Sequence, residues 1–449
     1  MSKQRIQLSD HFTYPRLLRF VLPCIGTMLF TSIYGIVDGL CVSNFVGKTA
    51  FAAVNLIMPL PMLLGTIGFM LGTGGSAIVG ITLGEGDQKK ADRYFTLFLL
   101  AALVSVSVLA VLGIVFLRPI AVLLGAKGEL LDYAVRYGRI LMVSLPTFAL
   151  QNMFQSFFVT AEKPHLGFWF TVGAGCTNMV LDVLMVGIWG WGVEGAAIAT
   201  FISQLVGGVL PVFYFIDRSN SSRLHLCKTS FYSKVLRDAC INGSSELMTN
   251  LSMSLVNILY NYQLLRLAGE NGVAAYGVIM SAVFLFVAVF EGYAVGSAPI
   301  VSFHYGARNH TEVHNLYRKS LRLIAVVAVT LTLASMFIIP CVARIFVGYD
   351  AELLALTSRA FRLYALSFLI MGFNVYASSF FTALGDGVTS ALISFLRTLA
   401  FQVIAILLLP LLLGIDGIWL AVTAAELAAL AVSAAMLLTK DKVFHYRKA

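Results

Sequence analysis

Apolar runs of twenty or more residues recur along almost the whole 449-residue chain, separated by short polar links. A run of that length crosses the hydrocarbon core of a bilayer as a helix, where each backbone N–H and C=O must find its partner within the protein. The chain therefore reads as an all-α polytopic membrane protein. Twelve helices are expected, near 17–45, 51–83, 93–117, 136–161, 166–190, 193–216, 239–264, 273–303, 317–347, 359–384, 388–413 and 417–438. Charged residues make up 12% of the chain, about half the share in soluble proteins. The net charge of +9 is spread over short links rather than gathered in a patch, so it speaks for topology and against nucleic acid. With the N-terminus in the cytoplasm, that side holds 21 Lys and Arg and the other holds 9, which places both termini there. The first apolar run lacks a small-residue cleavage site and is expected to stay as a span. No CxxC pair occurs among the six cysteines, so neither disulfides nor zinc are expected.

The chain repeats itself. Residues 47–58 lie over 269–280 at an offset of 222, and so do Gly84 over Gly306 and Gly192-Val-Glu-Gly195 over Gly414-Ile-Asp-Gly417. Arg139 and Ser156 match Arg362 and Ser379 at 223. The longest polar segment divides the copies, giving an N-lobe at 1–216, a loop at 217–238 and a C-lobe at 239–449. Six helices per copy start both copies on one side of the membrane. That is a parallel repeat, found in transporters with a cavity between two lobes.

Ionisable residues inside apolar runs mark function by default. Asp38 lies about eight residues before the outer end of helix 1, Asp182 about eight before that of helix 5, and Thr200 about eight after the outer start of helix 6. All three then sit about 12 Å below the outer surface, with Asn178 one turn deeper on the face of Asp182. At the 222 offset their mates are Tyr260, Ile404, Val422 and, for Asn178, Ala400. The polar group exists in one copy only, which separates it from the scaffold. Two carboxylates side by side in a low-dielectric setting cannot both ionise cheaply, which suits proton carriage. Oxygens of Asp, Asn and Thr also suit a bare Na⁺.

With these residues in view, the chain resembles the multidrug and toxic compound extrusion family, nearest its DinF-like and MepA-like branch. The marks are Asp38 followed by Phe45-Val46-Gly47, the Asn178-x-x-x-Asp182 pair, and Thr200. The resemblance implies two six-helix lobes, an N-lobe cation site at those four residues, and a hinge at Pro23. It also implies export of organic cations or amphipathic compounds in exchange for H⁺ or Na⁺, with no cofactor. The setting it implies is the inner membrane of a bacterium, with a monomer expected. NorM-like relatives use an acid in helix 10, where this chain has Met371, Gly372, Phe373 and Asn374.

The second copy keeps Glu246, Glu291, Arg397 and Glu426 in apolar runs. Glu246, with Asn250 one turn on, is the second candidate site, and Arg397 is expected to pair with one of the acids. Met28, Met58, Met153, Phe154, Phe157, Met280 and Phe284 are expected to form an adaptable cavity wall. The rival reading within the superfamily is a lipid-linked oligosaccharide flippase, but those line the cleft with several Arg or Lys, and the N-lobe spans here hold acids. A membrane enzyme is disfavoured, with no HExxH or Ser/His/Asp set. The histidines His304, His310 and His314 read as a solvated loop.

Overall fold

The computed structural model describes residues 6–46, 48–348 and 350–447. Gly47 of the repeat, and Lys3, Arg5 and Lys448 of the charge count, lie outside them. In the first copy, helix α1 is Tyr14–Phe45, α2 Lys48–Ile57, α3 Pro59–Gly84, α4 Gln88–Leu123, α5 Glu129–Thr160, α6 Pro164–Asp182, α7 Gly192–Gly208 and α8 Leu210–Ile216. After a loop come α9 Ser233–Asn242, α10 Ser244–Gly306, α11 His310–Val347, α12 Ala351–Ala365, α13 Phe368–Ala383, α14 Gly387–Phe395, α15 Phe401–Leu413, α16 Ile415–Thr439 and α17 Asp441–Phe444. Two π-helical turns, Val183–Ile188 and Leu396–Ala400, follow α6 and α14 directly.

Among the described residues nine helices are long and apolar enough to cross a membrane, or ten if the bent pair α12–α13 is one span. The twelve expected from sequence are reached only by dividing α10 and adding α5. The 63-residue α10 breaks at Gly269, whose φ of 59° and ψ of −150° leave the helical region. Glycine tolerates such a backbone because it carries no Cβ. His304 is buried in the last turn of α10 and His310 opens α11, so the expected histidine loop is helical.

The duplication reaches down to single interactions. Asp87 caps α4 through the Lys90 N–H at 3.0 Å, and Asn309, 222 residues on, caps α11 through the Glu312 N–H at 3.1 Å. Such caps supply acceptors to otherwise unpaired first-turn amides. Arg136 pairs with Glu194 at 3.6 Å. Their repeat mates Arg359 and Asp416 also pair. Gly192 and Gly414 each turn with φ of 59°. Two other positions exchange glycine for a charged residue: Gly86 matches Arg308, and Glu162 matches Gly385, all with positive φ.

The lobes meet at the end that carries both termini. A Cβ on Gly84 would overlap the Phe303 carbonyl oxygen, and one on Gly306 would overlap that of Ile81. A Cβ on Gly80 would lie 2.8 Å from the Ser302 Cβ. α3 and α10 therefore touch backbone to backbone through repeat-related glycines. Residues 6–12 lie across the same end. The Leu8 N–H donates to Glu162 Oε1 at 2.9 Å, and Arg223 reaches that oxygen at 2.6 Å. The Phe12 N–H donates to Glu312 Oε1 at 2.8 Å, while His11 Nδ1 lies 2.6 Å from Oε2. One carboxylate of each lobe thus holds the same strap, with Leu8 and Phe12 fully buried beneath it. Neither carboxylate recurs: Glu162 faces Gly385 across the repeat and Glu312 faces Lys90.

Candidate functional site

Asp38 projects from α1 and Asp182 is the last residue of α6, immediately before the π-turn. The two carboxyls stand within hydrogen-bonding reach of each other. Asp182 is fully buried, and among the described residues no donor reaches either of its oxygens. A buried acceptor left without a donor is destabilising by about 1–3 kcal/mol, more if charged. A proton or a small cation held between the carboxyls removes that deficit. Asn178, one turn earlier and buried, has an Nδ2 without a partner among the described residues. The π-turn gives the helix an irregular stretch beside the carboxyl, a feature frequent at functional sites.

Thr200 does not complete the group through its hydroxyl. In α7 that hydroxyl donates to the Ala196 carbonyl at 3.0 Å, and Thr200 borders a small apolar cavity with Met58, Met62 and Phe148. Back-bonding of this kind is the common fate of a threonine inside a helix. Tyr34 and Tyr137 stand within electrostatic range of the carboxyls, Tyr34 of Asp38 and Tyr137 of both. Their repeat mates are Val256 at 222 and Ala360 at 223. The one-copy signal that singled out Asp38 therefore marks them as well.

Pro23 leaves α1 unbroken. The Thr27 hydroxyl donates to the Pro23 carbonyl at 2.9 Å, and Thr31 repeats the pattern on Thr27 at 2.8 Å. Gly292 and Gly296 of α10 are notches for this stretch, with a Cβ on Gly296 meeting Val21 at 2.9 Å. Asp38 is thereby joined through one helix to the interface with the C-lobe.

A second polar centre lies between the lobes. Glu246, Glu291 and Arg397 line one cavity together with Thr73 and Ser76 of α3 and Ser156 of α5. Asn250 is not part of it by hydrogen bonding, because its amide donates back to the Glu246 carbonyl at 2.9 Å. Arg397 sits in the second π-turn and meets Glu426 at 3.6 Å. Asn374 donates to the other Glu426 oxygen at 2.7 Å, and Ser433 donates to Asn374 at 2.9 Å.

The expected apolar wall is not assembled. Met153, Phe154 and Phe157 are buried in the N-lobe core: Phe154 stacks on Phe215 at 5.6 Å, and Phe157 lies 4.8 Å from Phe95. These faces of α5 fill the space inside the lobe, where large rings give the most contact. Phe284 is exposed on the surface of the structure, Met280 is half-buried against the C-lobe core, and Met28 borders a gap beside Gln155.

Comparison with known proteins places this geometry. The family model described as MatE matches residues 23–184 and again 247–408, one match per copy. The multidrug export protein MepA of Staphylococcus saprophyticus subsp. saprophyticus is 21% identical over 433 residues, covering 95% of this chain and 94% of that one. A solved outward-facing conformation of a multidrug resistance MATE family transporter of the MOP superfamily superposes with a TM-score of 0.92 at 22% identity, covering 100% of both chains. A MATE structure in the straight conformation superposes with a TM-score of 0.89 at 23% identity, covering 96% of each chain. At such identities the two structures speak for the fold alone.

Proposed function

The chain belongs to the MatE family, and we propose that it is a secondary multidrug efflux antiporter of the bacterial plasma membrane. It exports organic cations or amphipathic compounds in exchange for H⁺ or Na⁺, with both termini in the cytoplasm. One observation carries the coupling: Asp38 and Asp182 face each other, with no donor among the described residues to either Asp182 oxygen. A site in that condition binds a proton or a cation whenever it is open to the side of higher ion activity. With the Thr200 hydroxyl engaged on Ala196, a shared proton is the occupant that needs no further ligand.

Coupling to cargo runs through α1. Occupancy of the carboxyl pair alters what α1 presents, and α1 packs through Pro23 and its neighbours into the glycine notches of α10. The seam of α3 on α10 closes one end of the cleft, so alternating access requires that seam to part. The acidic central cavity supports cationic cargo over the phosphates of a flippase, because among the described residues Arg397 is its one cationic lining residue and already faces Glu426.

The test is exchange in proteoliposomes holding either ethidium or a small hydrophilic amine, with a pH gradient or a sodium gradient imposed separately. One gradient is expected to drive movement of at least one of the two and to be dissipated by it. Movement of neither compound under either gradient would overturn the antiporter reading.

A further inference from the structure

The chemistry of the central cavity identifies its cargo more narrowly, an inference that rests on the transporter reading above. Among the described residues lining it, nine are Ser or Thr, three are charged and four are Ala or Val; none is aromatic or Met. Sites for quaternary and delocalised cations rely on aromatic faces. Such a cation would find no ring here, and it would strip water from hydroxyls without replacing the hydrogen bonds.

Part of this hydroxyl wall has a fixed polarity. Thr73 donates to the Phe69 carbonyl at 3.0 Å, Ser76 to Thr73 at 3.0 Å, and Thr249 to Ser245 at 2.9 Å. A hydroxyl has one proton. Where it is given to the helix, as at Thr73, Ser76 and Thr249, only lone pairs remain for the cavity. Glu246 and Glu291 add two carboxyls to the same wall. The wall is therefore rich in acceptors, and it is complemented by N–H and O–H groups. Ammonium N–H donors to carboxylates form short, charge-assisted bonds. Arg397 supplies the opposite polarity at one point: it is 8% exposed, and its Nε has no partner among the described residues. An oxygen on the cargo is what that donor lacks.

We propose that the cavity between the lobes binds hydrophilic amines that carry several N–H and O–H donors and at least one acceptor oxygen, the chemistry of an amino sugar. Glu246 and Glu291 hold the ammonium group, and Arg397 holds a hydroxyl or ring oxygen. Lipophilic cations without N–H donors are the poorer cargo.

Three probes separate the terms: glucosamine, its N,N,N-trimethyl derivative, and tetraphenylphosphonium. The trimethyl compound keeps the charge and removes the donors. Uptake into proteoliposomes under an imposed pH or sodium gradient is measured for the wild-type protein and for Glu246→Gln and Glu291→Gln, each checked for monodispersity. Glucosamine is expected to enter about tenfold faster than the trimethyl compound, as for the loss of one charged hydrogen bond. Each glutamine variant is expected to narrow that ratio. Equal uptake of glucosamine and its trimethyl derivative would overturn the proposal on the wild-type protein alone, with no variant needed. Uptake of tetraphenylphosphonium without glucosamine would overturn it and leave the antiporter standing. Uptake of none of the three under either ion gradient would overturn both.

Discussion

Replacing Gly84 by Ala should force the lobes apart at the end that carries the termini. The added Cβ would overlap the Phe303 carbonyl oxygen and stand 2.7 Å from the Ala307 nitrogen and 3.0 Å from the Gly306 carbonyl carbon. All three are backbone atoms, so no side chain can swing aside. Ordinary separations between such atoms begin near 3.5 Å, so α3 and α10 must separate by roughly 0.8 Å or more. A gap of that size forfeits a quarter to a half of the contact energy along a seam. Overpacking of this kind destabilises by about 1–3 kcal/mol. Because the strain belongs to the closed seam alone, it shifts the equilibrium toward the parted state by about 5- to 150-fold. The assay places a cysteine at Ser76 in a protein whose six natural cysteines are replaced, and follows maleimide labelling from the side of the termini. Gly84→Ala should label faster by that factor, and Gly306→Ala should do the same against Ile81. Gly277→Ala, where a Cβ meets nothing within 4 Å, should label as the parent. Unchanged labelling in both seam variants would refute the closed-seam reasoning.

The strap predicts that Glu162→Ala exposes residues 6–12. Amide exchange at Leu8 and Phe12 should quicken while the lobe cores stay protected, and unchanged protection would contradict the bridging role of Glu162. Phe154→Ala removes the ring stacked on Phe215 and should lower N-lobe stability by about 3 kcal/mol without changing cargo preference, read by thermal unfolding beside uptake. Burial works against ionisation of Asp386, but bonds from Lys440 at 2.8 Å and from Thr389 hold its carboxyl below the ordinary range. A depressed acid stabilises above its unfolded value and loses that contribution as pH falls through the folded one. Asp386→Ala should therefore lose about 1 kcal/mol at pH 7, and the deficit should shrink below about pH 4; a deficit independent of pH would show that charge is not involved.

Helix positions were legible because spans and links differ in polarity, and the offset of 222 carried to details no hydropathy reading shows. The twin caps at Asp87 and Asn309 and the twin ion pairs of Arg136 and Arg359 follow that register. Asymmetry across the repeat was also informative: Asp38 and Asp182 lack acidic mates, and the structure brings them together. The same signal was present at Tyr34, Tyr137, Glu162 and Glu312.

Side-chain direction was not legible. An apolar residue on an apolar helix has no polar face to oppose, so nothing in the sequence separated Met153, Phe154 and Phe157 as cavity wall from the same residues as core. Thr200 shared the depth of Asp182, but its hydroxyl turned to its own helix. The cavity acids were visible singly, yet their meeting with Arg397 depends on how α10 packs against the π-turn, a tertiary fact with no local trace.

The central claim is that the Asp38–Asp182 pair carries the coupling ion. Its most direct test is proton release from purified protein in weakly buffered detergent on addition of cargo or of Na⁺, for wild type, Asp38→Asn and Asp182→Asn. Wild type should release protons on addition of cargo or of Na⁺, and both variants should release none while still binding cargo. Release that persists in both variants would place the coupling ion elsewhere and contradict the account.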